Sequence, residues 1–172
     1  MKVDIVPTRD NELENFIVSL QASFKRGAAK ENFCDDDDEI ISREDILESF
    51  HADGAQIFNI VRAGKIVGGA VVAIHPDNHN ELVLFFVNAD KLGQDIGFAA
   101  WQEIEKLFPA TEIWETATPH FAKRNLHFYI NKCGFHAVEF FNPHHPNKDY
   151  GGDYFFRFEK IMNHDPLNAQ KN

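Results

Sequence analysis

Between an apolar run, Leu82 to Val87, and a helical pattern stands a short polar loop containing Gly93 and Gly97. In the helical pattern Ile96, Ala100, Ile104 and Leu107 or Phe108 recur at spacings of three and four, and Pro109 ends it. A strand, a glycine turn and a bare helix N-terminus make an anion site from backbone alone. The first amides of a helix have no internal partner, and the peptide dipoles favour negative charge there. Glycine lets a ligand approach that backbone closely. The chemistry expected of residues 92–97 is therefore the binding of a phosphate-bearing cofactor. Two familiar phosphate motifs are absent: the chain has no G-x-x-x-x-G-K-[ST] and no G-x-G-x-x-G after a first strand. The competing reading is that Asp95 merely caps the helix.

Other residues that could do chemistry are more scattered. Glu81 stands at the start of the strand that carries the apolar run and alternates with Val83, Phe85 and Val87, which places the four on one face. Glu115 lies near the end of a later strand. His144 and His145 with Asp149 and Asp153 resemble a metal cluster, but adjacent histidines point apart in an extended chain and no H-x-x-x-H or cysteine supports them. No metal is expected, and this loop is read as touching an acceptor. His120 and His127 share a helix face that is plain surface. Cys133 has no evident base beside it and reads as packing. The run Asp35 to Glu39 is either a solvated loop or a lip that attracts a cation.

These groups need a scaffold. Met1–Val6 reads as a short strand. A helix capped by Asp10 carries Leu13, Phe16, Ile17, Leu20 and Phe24 inward and ends at Gly27. Ser42 with Asp45 forms a capping box opening a second helix over 43–51. From Gln56 the pattern becomes β: 56–62 and 65–74 flank an Ala63-Gly64 turn, and 80–87 follows a turn at 75–78. Gly68-Gly69 marks a bulge or a close backbone approach. After the helix that begins at Ile96, residues 112–116 form a strand, which implies a parallel pairing through a crossover. A third major helix spans 121–132, stopped by Gly134, and strands follow at 135–141 and 154–159. The expected fold is α/β (α+β): a mixed central sheet of six to seven strands flanked by helices on both faces. Residues 1–162 make one domain and 163–172 a flexible tail.

The chain of 172 residues, 44% hydrophobic with seventeen Phe, is long enough for one bulky core. A net charge of −10 argues against polyanionic partners, so neither nucleic acid nor an anionic membrane is expected, and it suits a cationic amine. Cys34 and Cys133 make no disulfide framework, and no apolar run is long enough to span a bilayer, which points to a reduced, cytoplasmic setting.

Two stretches together resemble the GNAT acetyltransferase superfamily. Its acetyl-CoA loop, Q/R-x-x-G-x-G/A, falls on Leu92, Gly93, Gln94, Asp95, Ile96 and Gly97; Gly97 fits, while Leu92 and Asp95 depart from the pattern. The second stretch, Phe128-Tyr129-Ile130-Asn131-Lys132-Cys133-Gly134-Phe135, is similar to the family's F-Y-E-K-x-G-F phrase. With Thr118, Pro119, Arg124 and Asn125 it looks like an uncharacterised bacterial branch, and the resemblance covers about residues 55–160.

The resemblance implies transfer of an acetyl group from acetyl-CoA to a primary amine of a small molecule or peptide, by direct attack and without a metal. It gives Tyr129 the role of general acid for the leaving thiolate. Glu115, the preferred candidate, or Glu81 would be the base. Phe85, Phe86 and Val87 would lie along the pantetheine arm, with the amide of Val87 or Phe86 on the thioester carbonyl. Amides across Leu92 to Gly97 would hold the pyrophosphate, and Asn125 stands nearest the position of a cofactor-contacting Asn. A homodimer is open. The rival reading, favoured by Leu92 and Asp95, is a non-catalytic acyl-CoA-binding or protein-interaction module on the same fold.

Overall fold

A computed structural model describes residues 2–31, 39–91 and 95–162. Seven strands form one sheet: β1 (Asp4–Pro7), β2 (Ala55–Arg62), β3 (Lys65–Ala73), β4 (His79–Val87), β5 (Ile113–Pro119), β6 (His136–Phe141) and β7 (Phe155–Ile161), in the spatial order β1-β2-β3-β4-β5-β7-β6. Every pairing is antiparallel except β4 with β5, the parallel junction made by the crossover through α3 (Ile96–Leu107). Helices α1 (Leu13–Lys30) and α2 (Arg43–His51) pack Phe16, Ile17, Leu20 and Ile46 on one face of the sheet. On the other face Trp101 and Ile104 of α3 meet Trp114, Phe158 and Phe135, joined by residues from α4 (Lys123–His127) and the π-helical turn Phe128–Lys132 that continues it.

Local chemistry explains most of the boundaries. Ala63 and Gly64 both take positive φ, 49° and 74°, as a two-residue hairpin turn needs. The Ser42 hydroxyl accepts a 3.0 Å bond from the Asp45 amide and caps α2. Gly134, at φ 79°, supplies the left-handed stop, and the Phe135 amide turns back to the Tyr129 carbonyl at 3.0 Å. At Gly68 both expectations hold. The β2–β3 register slips just beyond its pairing with Ile60, and a Cβ on Gly68 would stand 2.3 Å from the Phe86 backbone carbonyl oxygen.

Three readings of the sequence change. The first helix runs on through Gly27 to Lys30; alanine is the best helix former, and Ala28 is buried. Asp10 does not cap it. Residues Asp10–Glu12 form a 3₁₀ turn in which the Glu12 carboxylate accepts from the Arg9 amide, and α1 starts at Leu13. The third change bears on the site. Leu82 pairs with Val72 and Leu84 with Val71, so Val83 is an extra residue in β4. Glu81 and Val83 therefore do not share a face with Phe85 and Val87: Val83 and Leu84 both turn to α1 and α2, while Phe85 and Val87 turn to α3.

Candidate active site

β4 and β5 pair only over His79–Glu81 with Ile113–Glu115. Beyond that point β5 stays with β7, β4 stays with β3, and the two parallel strands diverge. The β5-facing backbone of β4 from Leu82 to Val87 thus has no strand partner. Where the strands part, the buried Thr116 hydroxyl donates to the Leu82 carbonyl at 2.9 Å, a side chain standing in for the missing ladder bond. Tyr129 lies beneath on the helix side, 6% exposed, with Phe128, Phe135 and Phe158 around its ring. Burial pushes its phenol well above the usual tyrosine range, and a hydrogen bond with Thr116 opposes that only in part.

The opposite face of the same junction is charged. Glu81 and Glu115 are direct cross-strand partners. Burial, then the charge of Glu115, raises the Glu81 carboxyl above the ordinary glutamate value; Asp149 adds to this and His75 and His79 work against it. Glu81 has no hydrogen bond or ion pair among the described residues. Glu115 is differently placed. Its Oε2 lies 2.9 Å from Arg157 Nη1 and 3.3 Å from His79 Nε2. Arg157 also holds Glu159 at 2.7 Å and, through Nε, Glu139 at 3.0 Å, and Glu139 pairs in turn with His145. Tyr150, stacked on Phe155 with centroids 4.3 Å apart, closes this face from the β6–β7 loop; burial and the charges of Glu81 and Glu115 push its phenol up to about 12.

His79, Glu115 and Glu159 bring ligand atoms within 4.8 Å of one another, the spacing of a metal site. The Arg157 guanidinium lies against the oxygens of both carboxylates, so a cation already serves them. The loop histidines do not converge on Asp149 and Asp153: His145 stacks on Phe141 and pairs with Glu139. Burial raises the Cys133 thiol to about 12, which suits packing.

On the cofactor side, Leu92, Gly93 and Gln94 lie outside the described residues, as do Cys34, Asp35 to Asp38 and the tail 163–172. Asp95 stands at the N-cap position of α3 in the left-handed region, φ 54°, where the family pattern has glycine. Its side chain makes no cap bond. It turns instead to Lys132, 2.6 Å away, in the second signature. The amides of Ile96, Gly97 and Phe98 open the helix, while the Ile96 side chain is core. Gly97 admits the Phe128 ring, which stacks on Phe85 with centroids 5.9 Å apart. Phe86 is buried on the α1 side against Phe16, and Val87 packs near α3. The Asn125 amide donates to Thr118 at 3.1 Å.

The structure therefore brings Glu81 to Glu115 on one face and sets Tyr129 at the same junction on the other. It adds Thr116, Arg157 and Tyr150, for which the sequence carries no local signal, and gives Lys132 of the second signature a partner in Asp95; these partners lie 34 to 42 residues away or meet only by folding.

A mixed sheet parted at its one parallel junction, with the uncapped N-terminus of a helix on one side and carboxylates on the other, defines an acyltransferase fold and cleft. The chain belongs to the acetyltransferase (GNAT) family, whose model matches residues 17–135. It is 45% identical to the uncharacterized protein YrkN of Bacillus subtilis (strain 168), with 94% of each chain covered. Among solved structures it is similar to the PaiA N-acetyltransferase of Thermoplasma acidophilum in complex with coenzyme A (17% identity, TM-score 0.68, 94% of this chain and 100% of that one). It is also similar to the spermidine N-acetyltransferase of Vibrio cholerae in complex with CoA and spermine (10% identity, TM-score 0.66, 92% and 95%). At such identities these structures show the fold. No helix among the described residues is long and apolar enough to cross a membrane.

Proposed function

We propose that this acetyltransferase moves the acetyl group of acetyl-CoA to the primary amine of a small cationic acceptor, with Glu81 as base and Tyr129 as acid. The observation that carries the reading is the parting of β4 and β5, with a neutral phenol beneath it and a carboxylate pair above. The protein fits the co-substrate. The unpaired edge of β4 offers backbone donors and acceptors to an amide-bearing arm, and the uncapped amides of α3 offer an anion site. Acetyl-CoA supplies the activated thioester; the rest falls to the chain.

Glu81 takes the proton that an ammonium must lose before it can attack, and its raised affinity for protons makes it a better base than an ordinary carboxylate. The amide of Phe86 or Val87 steadies the carbonyl oxygen. As the C–N bond forms and the C–S bond breaks, Tyr129 gives its proton to the sulfur. The elevated phenol keeps that proton until a thiolate is there to receive it. Burial at Glu81 and engagement by Arg157 at Glu115 favour Glu81 as the base, reversing the preference read from the sequence. Glu115, Glu139 and Glu159 share the single Arg157 guanidinium, and with Glu81 and Asp149 nearby the excess of carboxylates favours a positively charged acceptor.

The test is thiol release from acetyl-CoA across a panel of mono-, di- and polyamines, aminoglycosides, amino acids and peptide N-termini. Turnover on a cationic member, lost in Tyr129→Phe and Glu81→Gln, supports the reading. Tight acetyl-CoA binding with no turnover on any amine would leave the non-catalytic module standing instead.

A further inference from the structure

Asp95 poses an electrostatic problem. A carboxylate at the N-cap of α3 stands next to the amides that would receive a pyrophosphate, and a negative charge there repels one. The backbone there is left-handed, φ 54°, so the position suits glycine, and aspartate is one of the few other residues that tolerate it. A capping aspartate would spend its charge on the helix's own amides; this one makes no such bond. It points to Lys132, whose Nζ lies 2.6 Å from Oδ1, and the ammonium holds the carboxylate below its usual range. Lys132 reaches it from the π-helical turn that also carries Tyr129.

Resting on the acetyl-CoA reading, we propose that Lys132 is a positioning residue for the cofactor: it cancels the charge of Asp95 and so keeps the N-terminus of α3 open to a pyrophosphate. The ion pair ties the two elements that flank the cleft, and the net charge at the helix start returns to that of a glycine. An arrangement of this kind predicts coupling, because Lys132 matters only while Asp95 is there to be neutralised.

The experiment is calorimetric titration of CoA and dephospho-CoA, which both keep the pyrophosphate, into the native chain, Lys132→Ala, Asp95→Asn and the double variant. Both side chains are well exposed, so the variants fold, which thermal melting checks. Lys132→Ala is expected to weaken both ligands about tenfold, the scale of one charge-assisted contact. Asp95→Asn binds at least as well as the native chain, and the double variant falls within about threefold of native. The Lys132→Ala deficit also shrinks with added salt. An equal loss in the Asp95→Asn background would make Lys132 a direct phosphate ligand and overturn the proposal, as would no loss at all. In both cases native binding persists and the acetyltransferase reading is untouched. No binding by the native chain would remove the two together.

Discussion

The two faces of the β4–β5 junction differ as sharply as any two regions of the molecule. On the helix side Tyr129 lies among Trp114, Phe135 and Phe158, with Thr116 beside its hydroxyl. On the other side Glu81, Glu115, Glu139, Glu159 and Arg157 share a half-exposed surface. One sheet, three residue pairs from end to end of the junction, separates them. The contrast matches two opposed duties. An acid that must stay protonated is served by a dry aromatic wall, and a base that must meet a solvated ammonium is served by an open, charged one.

Breaking the dry face should cost most. Tyr129→Phe removes the proposed proton donor and little volume, and kcat is expected to fall about a hundredfold, within the usual range for a general acid. The acid limb of the pH profile should stay where it is, because the base is untouched. Stopped-flow thiol release read across pH measures both quantities, and a shifted limb would blur the division between the faces. Glu81→Gln comes next, with kcat/KM falling about tenfold or more at neutral pH and the acid limb vanishing. Arg157→Met sharpens the comparison: with the guanidinium gone the charge of Glu115 raises Glu81 further, so the limb in kcat/KM moves to higher pH.

Stability gives a smaller signal of the same origin. The folded Glu81 carboxyl is raised, so the stability its neutral form contributes is complete below the unfolded value near ~4.3 and is lost as pH rises through the folded value. Glu81→Gln should accordingly melt above the native chain at pH 8, with the gap closing at pH 4. Smallest is Ser42→Ala, which removes the α2 cap and costs about 1 kcal/mol in denaturant titration with kcat unchanged.

What could be read in the sequence follows from how local each cause is. The hairpin at Ala63-Gly64, the Ser42 cap and the Gly134 stop are written in neighbouring residues. The parallel junction follows from a strand, a helix and a strand in succession. The bulge at Val83 is not legible, because both faces of β4 are covered there and apolar residues continue unbroken through the slip. The difference in surroundings between Glu81 and Glu115 is equally hidden, since it depends on Arg157, 42 residues beyond Glu115. The Asp95–Lys132 pair, 37 residues apart, explains a departure from the family pattern that the loop alone leaves unexplained.

The parallel junction has a consequence for how the chain folds. Strands β1 to β4 form by successive antiparallel pairings, and β5, β6 and β7 form a second such group. Within the sheet, the brief register of His79–Glu81 with Ile113–Glu115 and the Thr116–Leu82 bond join the groups, closing a loop that contains all of α3. That register has the fewest paired residues of any pairing in the sheet, so it is expected to open early. A ligand seated along that seam would rivet two half-sheets together. The chain's resistance to unfolding should then rise with the logarithm of coenzyme concentration, and amide exchange along β4 should slow before that of either group alone.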